Sequence, residues 1–157
     1  MSRAKPSGKE VSDLHSHIGF WLRFVSNHVS HAFARKLLES GVTVAEWVVL
    51  REMYGREGMS PSMLAELSGM TRGAASKLID RLVAKRLVSR EGRSDDRRYQ
   101  DIALTRAGAR VVPFLAALAD RNDKEFFTAL SAKEREALVS TLKKLVRSNR
   151  LHKLPIE

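Results

Sequence analysis

The stretch "REGMSPSMLAELSGMTRGAASKLIDRLVAKRLVSR", residues 56–90, places a helix start, a helix stop and a second helix start between residues 60 and 71. Ser60 followed by Pro61 is an N-cap with proline at the first helical position, where the missing N–H is one the helix would leave unpaired anyway. This predicts a short helix through about Leu67, which Gly69 breaks after barely two turns. Thr71 is a second N-cap, and Ala74, Ala75, Leu78, Leu82 and Val83 supply the apolar face of a helix running to about Lys85. A short helix, a glycine-bearing turn and a longer helix form a helix-turn-helix. The outward positions at the start of the second helix are Arg72, Gly73, Ser76 and Lys77. Cations and hydroxyls there reach base edges and phosphates, and a glycine lets the backbone come close. Ser60, Ser62 and Thr71 join them as candidate DNA contacts.

Downstream, "LVSRE" (87–91) and "YQDIALT" (99–105) alternate as strands do, with Ile102 and Leu104 on one face. The polar turn "GRSDDRR" (92–98) joins them, so a two-stranded hairpin follows directly on the helix-turn-helix and forms a wing. Such a loop presents Arg93, Arg97 and Arg98 to a narrow minor groove, while Asp95 and Asp96 brace the mutually repelling cations and bond the turn backbone. From Arg72 to Arg98 there are nine Lys or Arg against four Asp or Glu, an excess of five on the proposed DNA face. Taken alone, the loop is equally well read as an ordinary solvated hairpin tip.

On either side lie longer helical patterns. From Ser12 to Ser40, Leu14, Ile18, Leu22, Val25, Val29, Phe33 and Leu37 recur every three or four residues, and Gly41 ends the run. "TVAE" (43–46) has the capping-box form and opens a helix with Val44, Trp47, Leu50 and Tyr54 on one stripe. Thr105 caps another helix, in which Pro113 either introduces a kink or sits where a lost N–H is tolerated. "SAKE" (131–134) is a second capping box before Leu138, Leu142, Leu145 and Val146. The terminal helices carry more apolar surface than the central unit can cover, so they are expected to cover each other across a two-fold axis, as a homodimer. Residues 1–10 show no period and read as a frayed terminus or a basic arm.

Composition bounds the function. The 157 residues carry a formal charge of +10, which favours a polyanionic partner such as nucleic acid. No apolar run approaches a membrane span and no secretory pattern opens the chain, so a cytoplasmic protein with no membrane partner is expected. The absence of cysteine excludes disulfides and thiol switches. His28 and His31 lie one turn apart, but nothing nearby completes a metal ligand set, and they read as surface or interface histidines. Asp95 and Asp96 sit among arginines that keep them ionised, which argues against acid–base work. No cofactor motif is present, and no catalytic or metal residue is assigned.

With these residues in view, the chain resembles the multiple-antibiotic-resistance-regulator (MarR) family of bacterial winged-helix transcription factors. The resemblance is carried by "GVTVAEWVVL" (41–50), "LAELSGMTRGAASKLIDRLVAKRLVSR" (64–90) and "DDRRYQDIALTRAG" (95–108). It implies a mainly α fold with a small β-hairpin wing, a single domain over 1–157 with a winged-helix DNA-binding unit at 43–105 between dimerisation helices at 12–40 and 106–148. It further implies a homodimer on a pseudo-palindromic duplex operator, usually repressing, and released by a small, often anionic aromatic effector. Arg98 would enter the minor groove braced by Asp96, and Thr71 to Lys77 would read the major groove. An effector cleft between the first two helices would draw on Trp21, His28, Trp47 and Arg51, an aromatic wall with a cation for a carboxylate. The alternative reading is a winged-helix interaction module that uses the same basic face for a protein or an RNA, without sequence-specific DNA readout.

Overall fold

The computed structural model describes residues 11–92 and 101–151. Six helices and one hairpin follow in the order α1 (Ile18–Leu37), α2 (Val44–Met53), α3 (Pro61–Ser68), α4 (Arg72–Ala84), β1 (Val88–Glu91), β2 (Asp101–Leu104), α5 (Arg106–Phe126) and α6 (Ala132–Ser148). This is the expected mainly helical architecture with an antiparallel two-stranded wing, in which Val88 pairs with Leu104 and Glu91 with Asp101. Five of the boundaries are set by side-chain caps. Thr43, Ser60, Thr71, Thr105 and Ser131 each accept a hydrogen bond from the backbone N–H three residues on, and Thr43 and Ser131 complete capping boxes with Glu46 and Glu134. Gly69 closes α3 at φ 66°, a left-handed conformation that glycine adopts without strain.

The core lies where the C-terminal end of α1, α2, α3, α4, the wing and the first half of α5 meet. Leu37, Leu50, Leu64, Ile79, Leu82, Ile102 and Leu115 are fully buried there, and each such side chain stabilises the lobe by about 1.5–3 kcal/mol. The root of the wing is stitched in from three sides. Ile102 N donates to Met59 O at 2.8 Å, Thr105 N donates to Leu87 O at 3.1 Å, and Thr105 Oγ1 donates to Arg86 O at 2.7 Å. Gly108 lets α5 approach this junction, since a Cβ there would stand 2.0 Å from the Leu87 carbonyl oxygen. Pro113 lies inside α5 on an exposed face, and the helix continues through it.

Three expectations are corrected. The first helix does not begin at Ser12: Leu14–Ser16 forms a single 3-10 turn and His17 is extended before α1 starts. Asp13 Oδ1 accepts from His15 N and Ser16 Oγ donates to Asp13 O, local bonds that compete with a regular helix. On α2 the buried face is Glu46, Val49, Leu50 and Met53, with Val44 and Trp47 half-buried at its edge. Tyr54 is exposed, because the chain turns extended there and leaves the helix. On α4, Ile79 is buried and Ala74 is exposed. The face that meets the core runs Ala75, Leu78, Ile79, Leu82, and Ala74 lies one position off it.

The rest of the helical surface differs in kind. α6 contains no buried residue, and Leu138, Val139, Leu142, Leu145 and Val146 are all exposed. The first half of α1 likewise exposes Ile18, Trp21, Leu22, Phe24 and Val25. The far part of α1 is tied to α5 by polar bonds: Lys36 Nζ lies 2.8 Å from Glu125 Oε2 and 3.2 Å from Asn122 Oδ1. Arg121 Nε adds a 2.7 Å bond to the other Glu125 oxygen.

Candidate nucleic-acid interface

Thr71 and Gly69 decide where the second helix of the helix-turn-helix points. The left-handed glycine reverses the chain, Thr71 Oγ1 accepts from Ala74 N at 3.1 Å, and α4 leaves with its first turn outside the core. Arg72, Gly73, Ser76 and Lys77 are exposed, while Ala75, Leu78, Ile79 and Leu82 face inward. The side chains read from sequence as DNA contacts thus lie on the solvent side of a helix anchored by its opposite face. Ser60 caps α3 by accepting from Met63 N at 3.1 Å. A cleft of about 480 Å³ brings Ser60, Ser62 and Arg72 together with Met63, Glu66 and Met70. The N-termini of α3 and α4 therefore open onto one surface, and helix N-termini with free N–H groups favour phosphate.

The wing residues divide by position. Arg93, Asp95, Asp96, Arg97 and Arg98 lie outside the described residues. The strands that carry them do not: β1 and β2 leave the core beside α4, and Arg90 on β1 bonds Asp80 on α4, Nη2 to Oδ1 at 2.6 Å. Arg90 is 14% exposed, and a partly buried Arg–carboxylate pair of this length holds geometry better than a surface pair. It fixes the base of the wing to the middle of α4.

A second polar junction holds the other end of α4. Lys85 Nζ donates to Glu46 Oε2 at 2.7 Å, to Glu46 Oε1 at 2.9 Å and to Gly41 O at 2.7 Å. Glu46 is 1% exposed, and its Oε2 also accepts from Thr43 N at 2.9 Å. Burial pushes the Glu46 carboxyl up, but the Lys85 ammonium and the Thr43 N–H outweigh it and hold the carboxyl below its usual value. Neither junction was read from the sequence. The capping box marked Glu46 as a helix start, yet nothing local says that its carboxylate also takes a lysine 39 residues away.

The residues read as an effector cleft fall into two groups. Trp21 and His28 belong to a chain of rings along α1: Trp21 Nε1 donates to His15 O at 2.8 Å, and the His28 ring lies 4.4 Å from Phe24. Trp47 packs edge-on to Phe33, centroids 6.3 Å apart, and Arg51 is exposed one turn further along α2. Trp21 precedes Phe33 by twelve positions, roughly 18 Å along the helix axis. Among the described residues, no group of three or more His, Asp or Glu is placed to hold a metal ion, and no helix is long and apolar enough to cross a membrane.

A family model described as "MarR family" matches residues 40–98, the span from the turn after α1 through α2, α3, α4 and β1, ending short of β2. A putative transcriptional regulatory protein for the hcr operon of Thauera aromatica is 28% identical over 153 residues, covering 94% of this chain and 92% of that protein. Among solved structures, a mutant MarR from E. coli complexed with operator DNA superposes with a TM-score of 0.76 at 27% identity, covering 86% of this chain and 99% of that one. BpsR of Bordetella bronchiseptica, whose DNA binding is regulated by 6-hydroxynicotinic acid, shares the fold with a TM-score of 0.78 at 24% identity, covering 87% and 99%.

Proposed function

We propose that this chain, which is similar over residues 40–98 to the MarR family and over nearly its whole length to a putative transcriptional regulatory protein, acts in the cytoplasm as a homodimeric DNA-binding repressor of that family rather than as an enzyme. It grips a pseudo-palindromic duplex operator and releases it when a small anionic aromatic ligand binds. The observation that supports this most is the exposed start of α4, with Arg72, Ser76 and Lys77 around Gly73, on a helix whose middle is tied to the base of the wing through Asp80 and Arg90. In this reading Thr71 to Lys77 enter the major groove, Ser60 and Ser62 meet phosphates, and Arg93, Arg97 and Arg98 reach the minor groove with Asp95 and Asp96 as braces. The dimer reading is supported by the exposed apolar faces of α1 and α6, which their own lobe leaves uncovered. The ligand reading places an aromatic wall and a cation, Trp47 and Arg51, beside α1, with Trp21 and His28 further along that helix. An aromatic carboxylate of this class regulates DNA binding in BpsR.

Retention of fragmented host genomic DNA on the purified protein at moderate salt tests this reading. Recovery of a two-fold-symmetric motif is expected. Uniform retention that vanishes with added salt would leave only a generic charge effect and an interaction module in its place. On the recovered operator, Arg98→Ala should cost at least about tenfold in affinity with the fold intact.

A further inference from the structure

We infer that Lys85 is a positioning residue for sequence readout: by pinning the end of α4 to the start of α2 and to the turn that ends α1, it sets the angle at which the opposite end of α4 meets DNA. The inference rests on the reading of α4 as the element that faces the bases. Lys85 is the C-cap of α4, and its three short bonds converge from two different segments, the Gly41 carbonyl and the buried Glu46 carboxylate. Gly41 sits at φ 66°, at the turn through which the long first helix hands over to α2. One ammonium therefore joins the ends of α1 and α4 to the beginning of α2.

The lever makes this consequential. α4 has 13 residues, so its first turn lies about 18–20 Å from Lys85. A tilt of roughly 10° about that end moves the reading end by about 3 Å, far outside the narrow distance window of a direct hydrogen bond. The apolar face of Leu78, Ile79 and Leu82 keeps α4 against the core, but apolar contact is non-directional and does not fix a tilt by itself. The Lys85 bonds are directional, and they lie far from the exposed first turn, so their loss touches no proposed DNA contact.

Glu46→Gln combined with Lys85→Met removes the clamp without stranding a buried charge, which either change alone risks. The full-length chain is used, with duplexes enriched by the wild type from a random-sequence library. Affinity for an enriched duplex is divided by affinity for a scrambled duplex of equal composition at fixed salt. This ratio does not depend on the folded fraction, so a merely structural role leaves it unmoved. The double variant is expected to lose about tenfold of the ratio with scrambled binding nearly unchanged, and Lys85→Arg to retain most of it. If enriched and scrambled affinities fall together, or the ratio is unchanged while Arg72→Ala lowers it, the inference is overturned and the reading of α4 stands. If Arg72→Ala also leaves the ratio unchanged, both fall.

Discussion

The lobe built from α2, α3, α4, the wing and the first half of α5 and the pair of outer helices are made of the same residue types at the same helical spacing, yet they bury them differently. In the lobe, Leu50, Leu64, Ile79, Leu82 and Leu115 are fully enclosed; on α6, Leu138, Leu142 and Leu145 are each more than a third exposed. The period of apolar residues says that a helix has a partner. It does not say whether the partner is in the same chain. The lobe closes on itself, whereas α6 and the first half of α1 have nothing of their own lobe to close on.

Five variants probe that contrast, beginning with the largest effect. Leu142→Asp with Leu145→Asp should split the proposed dimer, read as a halved mass by light scattering at micromolar concentration. Operator affinity should fall about a thousandfold as avidity is lost, while amide protection within α2, α3 and α4 persists. A dimer of unchanged mass would show that α6 is not the seam. Inside the lobe, Gly108→Ala forces a methyl onto the Leu87 carbonyl and should cost about 3 kcal/mol in urea unfolding. A loss under about 0.5 kcal/mol would mean that α5 slides freely on the wing root.

Acid unfolding separates the lobe from the α1–α5 strut. Glu125, between Lys36 and Arg121, has its carboxyl lowered from 4.5 to about 2, and Glu46 is also lowered from 4.5. A carboxyl depressed in the folded state contributes stability that is complete above its unfolded value and is lost as pH falls through the folded one. Both contributions should therefore fade below pH 4.5, that of Glu125 down to about 2. Glu125→Gln should flatten the melting temperature between those limits, and Glu46→Gln should flatten it below pH 4.5. An acid limb as steep as that of the wild type in either variant would remove that carboxylate from the account. The smallest effect belongs to Arg86, held at φ 58° between α4 and β1. Arg86→Gly should raise stability by about 0.5–1 kcal/mol by relieving the left-handed strain, and a lower melting temperature would show that the side chain matters more than the backbone.

What could be read from the chain was what is local. Five capping residues, the glycine that ends α3 and the exposed first turn of α4 all depend on neighbours within four positions, and all were legible. Illegible were the meetings of distant residues: Lys85 with Glu46, Arg90 with Asp80, Lys36 with Asn122 across 86 positions. Sequence offers only the presence of opposite charges, and a basic chain with 18 acidic residues has many possible pairs. Glu46 shows the limit most plainly. The reading placed Trp47 and Tyr54 on the inner stripe of α2, and the structure turned that helix so that a carboxylate went inside with its lysine. The α3–α4 part of the candidate site was legible because its residues sit at caps and at one helix start. The grouping of Trp21 with Trp47 required knowing where two helices cross, which periodicity does not encode.

The root of the wing is held by three bonds among the described residues: Thr105 holds Arg86 and Leu87, and Ile102 holds Met59. Two of these three bonds run from backbone to backbone and belong to no particular side chain. The strands can therefore change much of their sequence and still leave the lobe at the same place, provided that Thr105 keeps its hydroxyl.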